Sequence, residues 1–365
     1  MIKKHLLIAV LLFCGLFNTS YSTSALQTFM APLVSSSLLL DLENRDNHAI
    51  AVGERGHIVK FDLAKEPADT TMRVHVKQVP VPTTATLTAI TQIEQNYWAV
   101  GHDATILQSV NNGDSWSLVY SDVALDRPFL DILFLSPTEG IAVGAYGTFY
   151  RTIDGGKTWL PELHASVLSK EDIDYLDSIK NEPEFYQEEL AYILPHFNRI
   201  RHANGRLMLA GEAGLLALSD DSGSSWQRMD MDYQGSFFDF AQISDNTQLA
   251  VGLRGNMFAR IDNGNWFFLD TCVTTSLNAI ISQDNGAFVV GNDGVILYID
   301  TEQLNYVGRA SHNSRTRHAN DNCQPHIAVT RLPSNISSSI ANGLVFNESL
   351  SLVTQEGIKK VVVTN

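Results

Sequence analysis

Basic residues are scarce in this chain of 365: 25 Lys and Arg stand against 40 Asp and Glu, a formal net charge of −15. That balance argues against nucleic acid and against anionic membrane surfaces as partners. Long apolar runs are equally scarce. One stretch, 6–17, follows Lys3 and Lys4 and precedes a polar, small-residue stretch at 18–25. This order is the pattern of a secretory leader, and the run is too short to span a bilayer. Residues 1–25 are therefore expected to be removed, with cleavage after Ser22 or Ala25. Residues 26–365 then form an exported protein, periplasmic or secreted, that does not insert into the membrane. Loss of Lys3 and Lys4 takes the net charge to −17. Cysteine is the third shortage. Cys14 lies inside the leader behind Phe13, which is too large for a lipoprotein cleavage site, so only Cys272 and Cys323 remain. An even number outside the cytoplasm suggests a pair. The repeat map given below places the two near opposite rims, so both readings stand at this point.

What the chain has in abundance is one repeated pattern, clearest between Gly140 and Leu163 (GIAVGAYGTFYRTIDGGKTWLPEL). A strand ends in Ala-Val-Gly, a Gly-x-x-Gly turn follows, then a second strand, a tight turn and a third strand. The tight turn, Thr152-x-Asp154-x-Gly156-x-Thr158-Trp159, fits the Asp-box pattern. Asp154 can accept from the turn's own amides, Gly156 can take a positive φ, and Trp159 can pack back over the hairpin. Relatives of this box are Ser109-x-Asn111-x-Gly113-x-Ser115-Trp116 and Ser219-x-Asp221-x-Gly223-x-x-Trp226, and Arg260-x-Asp262-x-Gly264-x-Trp266 is one residue short. The first glycine of the Gly-x-x-Gly turn recurs at Gly53, Gly101, Gly144, Gly211, Gly252 and Gly291, at spacings of 48, 43, 67, 41 and 39 residues. Repeats of roughly 40 residues with four short strands each specify a β-propeller.

The expected architecture is all-β, a seven-bladed propeller. The seventh blade is degenerate, with 350–357 (LSLVTQEG) matching AFVVGNDG and Thr354 in the first glycine position. It lacks a fourth strand at the C-terminus, and 28–33 offers a spare one just before the first blade, so the ring is expected to close through an N-terminal strand. Two insertions interrupt the spacing. One, 166–196, reads as an acidic helical hairpin between blades 3 and 4. It has a capping box at Ser169 and Asp172, and Ile173, Leu176 and Ile179 at helical spacing. The other, 301–324, reads as a polar loop in blade 6. In a four-strand meander the hairpin shares a rim with the Gly-x-x-Gly turns, and the Asp boxes lie on the opposite rim.

The Gly-hydrophobic-Ala-Val-Gly-x-x-Gly repeat followed by an Asp box resembles the photosystem II stability and assembly factor family. Those proteins are propellers with Asp-box (BNR-like) repeats, and the resemblance covers nearly all of 26–365. It implies a non-enzymatic scaffold, here from a bacterium without photosynthesis, with a membrane protein or envelope export complex as partner and no cofactor. The rim with the hairpin is the expected binding face, through Glu54, Arg55, Asp103, Tyr146, Glu212, Arg254 and Asp293 on the turns and Glu184, Glu188 and Glu189 on the hairpin.

The competing class is a secreted carbohydrate-active hydrolase, sialidase-like or another Asp-box glycosidase. The boxes are structural in such enzymes too, and no Phe-Arg-Ile-Pro stretch is present. Counting 13 residues back from each first glycine gives Leu40, Thr88, Asp131, Asn198, Asp239 and Asn278, a polar ring near one mouth of the central channel. Asp131 and Asp239 are the candidate acid and base of the hydrolase reading. The alternative is that the ring lines a hydrated channel or ties each inner strand to the next blade. His312, His318, Cys323 and His326 could ligate zinc, but their spacing fits no common structural site, and a polar loop is the plainer reading.

Overall fold

Short apolar runs punctuated by glycine turns pair as antiparallel meanders. The computed structural model describes residues 30–64, 74–308 and 323–363. It contains seven such sheets. Blade 1 is Leu39–Arg45, His48–Gly53, Ile58–Asp62 and Lys77–Val79; blade 2 is Leu87–Ile93, Asn96–Gly101, Thr105–Ser109 and Ser117–Tyr120. Blade 3 is Phe129–Phe134, Gly140–Gly144, Phe149–Thr152 and Leu160–Pro161; blade 4 is Phe197–Ala203, Arg206–Gly211, Leu216–Ser219 and Gln227–Arg228. Blade 5 is Phe237–Ser244, Thr247–Gly252, Met257–Ile261 and Phe267–Phe268; blade 6 is Leu277–Gln283, Gly286–Gly291, Ile296–Asp300 and Val329–Arg331. Blade 7 is Ile340–Phe346, Ser349–Thr354 and Gly357–Val362. Strands are lettered a to d in chain order within each blade.

The b strands are buried along nearly their whole length, as in Gly140–Gly144 and Thr247–Gly252. Each is covered on both faces by neighbouring blades, which is why these segments read Ala-Val-Gly instead of alternating. The core is correspondingly divided among the junctions between blades. Ile50, Val52 and Ile58 of blade 1 meet Leu87, Ile90 and Trp116 of blade 2. At the closing junction Leu39, Leu42 and Val59 of blade 1 meet Val353 and Ile358 of blade 7. The ring is therefore closed by side-chain packing between blades 1 and 7.

Among the described residues blade 7 has three strands. Of the expected N-terminal strand, Thr28 and Phe29 lie outside the described residues. Residues 30–33 are not strand but a turn running into a short 3-10 helix, Val34–Ser36. The reason lies in the track of the chain. The Ser35 carbonyl, four residues before Leu39, sits where a Cβ on Gly357 would be. The Thr83, Tyr233, Val273 and Ile336 carbonyls, each four residues before its own strand a, stand against Gly56, Gly214, Gly255 and Gly294 in the same way. Residues 30–38 thus follow the course of a d-to-a connection.

The first insertion forms two helices, α1 (Lys170–Ile179) and α2 (Pro183–Ile193). Ser169 caps α1, its Oγ accepting from Asp172 N at 3.1 Å. Leu176, Leu190 and Leu194 enter the core shared by blades 3 and 4. Ile173, expected on the docking stripe, is instead exposed. The second insertion opens as a helix and not a loop: α3 (Thr301–Gly308) buries Leu304 against blades 5 and 6. Residues 309–322, with His312 and His318, lie outside the described residues. Cys323 is bonded to Cys272. The rims that seemed to separate them do not, because the returning chain runs beside blade 5, where His326 N–H donates to the Asp270 carbonyl at 2.8 Å. The bond removes Cys323 from the proposed zinc ligands. His326 Nδ1 accepts from Ala328 N.

Candidate functional site

Three parts of the ring carry the residues singled out by sequence. On one rim the Asp boxes are closed hydrogen-bond cycles. In blade 3, Gly156 N–H donates to Thr152 Oγ1 at 2.9 Å, and Asp154 Oδ1 accepts from the Lys157 and Thr158 amides at 3.0 and 2.9 Å. Trp159 Nε1 donates back to the Gly156 carbonyl. Ser109, Asn111, Gly113 and Trp116 repeat the cycle in blade 2. In blade 4 Ser225 supplies the amide and hydroxyl that Asp221 accepts, while Ser219 caps Gly223. Each box docks on the blade before it: a Cβ on Gly156 would meet Trp98 Nε1 at 2.6 Å, where φ is also +86°. In blade 5 the shortened box has no hydroxyl; Arg260 spans it through the Gly264 and Asn263 carbonyls. Hydrogen bonds from the Thr158 amide and hydroxyl hold the Asp154 carboxyl down at about 2, and those from the Ser225 hydroxyl and amide do the same for Asp221. Asp154→Ala is expected to lower Tm and leave partner capture unchanged. The gap to wild type should narrow from pH 4 toward pH 2, as the wild-type carboxylate is itself protonated. A Tm gap independent of pH in thermal melts would contradict this role.

Inside the ring, the polar residues of strand a form one tie per junction between blades. Asp41 Oδ2 accepts from Ile90 N at 2.9 Å, Asp131 Oδ2 from Ile200 N at 2.7 Å and Asp239 Oδ2 from Ile280 N at 2.7 Å. In the alternate blades Thr88 donates to the Phe129 carbonyl, Asn198 to that of Phe237 and Asn278 to that of Ile340, each at 2.8 Å. Asn342 Nδ2 donates to Asp41 Oδ1 and completes the circle. The count from the glycines took Leu40 for Asp41, because the a–b hairpin of blade 1 is one residue shorter than those of blades 3 and 5: Asp41 pairs with Val52, where Asp131 pairs with Val143 and Asp239 with Val251. It missed Asn342 altogether. It also missed the cations. Arg201 makes two bonds to Asp239, at 2.7 and 2.5 Å, and Arg199 stands 3.6 Å from Asp131. Burial pushes Asp131 up to about 6 and raises Asp41; burial plus the Asp41 and Asp131 charges push Glu43 up to about 8. Burial alone would raise Asp239 too, but Arg201 holds it below the usual carboxylate range.

The opposite rim carries the Gly-x-x-Gly turns and the helical hairpin. The candidate contact residues come from six different blades, so they are spread round the rim and not gathered into one patch. Arg55, Asp103, Tyr146, Arg254 and Asp293 all occupy the left-handed region, with φ of 53°, 57°, 53°, 56° and 56°. All five are exposed at the turn tips. Such a conformation costs a non-glycine residue about 1 kcal/mol, so its repetition reflects the turn's geometry. Glu54 and Glu212 have structural duties, accepting from Leu38 N and His196 N, the residues that lead into strand a of the same blades. Tyr146 packs edge-on against His196 with Arg127 above it. Beside it Leu194, at the end of α2, fills the space over Gly147, whose amide donates to the Pro195 carbonyl. Glu184 and Glu188 are exposed, whereas Glu189 is half-buried and accepts from Tyr175 Oη at 2.8 Å.

No family model matches the chain. A curated relative, the photosystem II stability/assembly factor HCF136, chloroplastic, of Guillardia theta, is 39% identical over 66 residues. That stretch is 18% of this chain and 16% of that protein. Among solved structures, YCF48 bound to D1 peptide superposes with a TM-score of 0.62 at 14% identity, covering 93% of this chain and 96% of the other. YCF48 from Cyanidioschyzon merolae gives 0.61 at 14% identity, covering 92% and 98%. The C-terminal WD40 domain of Sif2 gives 0.55 at 10% identity, covering 90% and 82%. At such identities these likenesses show the fold. Repeat pattern, local identity and fold point the same way: the chain is a seven-bladed β-propeller that resembles the photosystem II stability/assembly factor family.

Proposed function

We propose that the protein is a non-enzymatic assembly factor for a membrane protein or an envelope export complex, working outside the cytoplasm. It binds its client on the rim that carries the Gly-x-x-Gly turns and the α1–α2 hairpin. The observation that carries this reading is the likeness, over 93% of the chain, to a propeller solved with a D1 peptide. The channel supports the non-enzymatic half. A glycosidase needs a carboxyl pair free to exchange protons with substrate. Asp131 and Asp239 instead hold neighbouring blades together, each on two backbone amides and an arginine.

The hairpin supports the choice of rim. It carries Glu171, Asp172, Asp174, Asp177, Glu182, Glu184, Glu188 and Glu189 against Lys170 and Lys180, more carboxylates than docking on the ring uses. The test is crosslinked co-purification from envelope membranes. Changing Glu184, Glu188 and Glu189 together to Lys should weaken capture of the client and leave Tm nearly unchanged. Raising salt from about 50 to about 300 mM should weaken wild-type capture as well. Capture indifferent to both changes would remove the hairpin from the binding face.

A further inference from the structure

A surface helix needs one apolar stripe to dock. In α2 that stripe is Tyr186, Leu190 and Ile193, packed with Leu176 and Ile179 of α1 over blades 3 and 4. One residue earlier, about 100° round the helix, runs a second stripe: Phe185, Glu189 and Tyr192, with Glu188 beside it. Phe185 is 41% exposed and Tyr192 82%. Tyr175 of α1, also 41% exposed, joins this stripe at its midpoint through its hydrogen bond to Glu189. None of these three rings belongs to the core that the hairpin shares with blades 3 and 4. Exposed aromatic rings set among carboxylates mark a protein contact, since tyrosine and phenylalanine bury much area for few frozen torsions.

The chemistry of the stripe narrows the partner. Carboxylates alternate with ring faces along one helical edge, in a hairpin whose acidic residues outnumber its lysines by six. Aromatic faces attract ammonium and guanidinium groups, and an adjacent carboxylate completes the seat. Anionic segments are repelled, and a purely aliphatic one would leave Glu188 and Glu189 facing apolar surface. We infer that the Phe185–Glu189–Tyr192 edge, with Tyr175 and Glu188, is the seat for a basic amphipathic segment of the client, whose Lys or Arg side chains lie over the rings and against the carboxylates. This deepens the binding-rim reading and rests on it, but assigns the contact to the rings as well as to the charge.

A short fluorescein-labelled peptide of lysine and leucine at helical spacing serves as the probe, and its glutamate–leucine counterpart as the control, with binding to the full chain followed by anisotropy. The Lys/Leu peptide should bind wild type and the Glu/Leu peptide should not. Phe185→Ser with Tyr192→Ser should weaken binding at least about tenfold with Tm unchanged. Should the serine pair lower Tm, Phe185→Leu with Tyr192→Leu keeps the bulk, removes the rings and should still weaken binding. Tyr175→Phe should weaken it less, by releasing Glu189 from its hydrogen bond. If reversal of Glu184, Glu188 and Glu189 abolishes binding while both ring variants bind as wild type, the seat is overturned and the acidic rim stands. If wild type binds neither peptide, or both equally, this edge does not select a basic partner.

Discussion

Arg201→Leu is expected to destabilise the propeller by about 3–5 kcal/mol in urea unfolding, the usual loss when one member of a buried ion pair is removed. Asp239 is completely buried. Its carboxylate accepts from Phe240 N, Ile280 N and twice from Arg201. Arg201 also donates to the Ile280 carbonyl at 2.9 Å, so one guanidinium links strand a of blades 4, 5 and 6. Without it the buried carboxylate keeps two amides and loses the cation paired directly with it. Two variants calibrate the result. Asp239→Asn leaves the arginine without its counter-ion and should cost a similar amount. Arg206→Ala removes an exposed partner of Asp220 and should cost less than about 1 kcal/mol. An Arg201→Leu loss no larger than that of Arg206→Ala would mean that the channel network does not hold the blades together.

The propeller was legible because its repeats announce themselves. Ala-Val-Gly, the Gly-x-x-Gly turn and the Asp box are local, and each follows from a strand buried on both faces or from a turn that supplies its own acceptors. The hairpin was legible for the same reason, from the Ser169 cap and the spacing of Leu176, Ile179 and Leu190. What sequence did not yield is whatever depends on one blade meeting another. Asp41 was overlooked because the a–b hairpin of blade 1 is one residue shorter than those of blades 3 and 5, which puts it one residue beyond the counted position. Arg199 and Arg201 looked scattered because their partners lie 68 residues away, for Arg199 to Asp131, and 38, for Arg201 to Asp239. The Cys272–Cys323 bond depends on the course of an insertion that carries no repeat. The hairpin's second stripe escaped notice because periodicity flags apolar residues without saying which of two adjacent edges docks, and Ile173 was placed on the wrong one.

The same channel gives the chain an unusual response to pH. Glu43 lies beside Asp41, Asp131 and Arg201, half-buried toward the channel, and its carboxyl is pushed up to about 8 from an ordinary 4.5. The folded ring therefore holds this proton more tightly than the unfolded chain does. Its contribution to stability is present below about pH 4.5 and is lost as pH rises through 8. Asp131, pushed up to about 6, acts in the same sense over a lower window. The Asp-box carboxylates act in the opposite sense: those of Asp154 and Asp221, held at about 2, stabilise above the ordinary carboxylate range and are lost as pH falls toward 2. Stability should be greatest near about pH 4 to 5 and decline from there toward 8. Glu43→Gln keeps the shape and polarity of the protonated side chain and removes its titration. It should match wild type at pH 5 and exceed it at pH 8.5 by on the order of 2–3 kcal/mol, less than the full shift implies because the half-buried carboxyl keeps part of its exposure. Urea midpoints at pH 5, 7 and 8.5 measure the difference, and two parallel profiles would show that Glu43 is ionised in the folded ring at neutral pH.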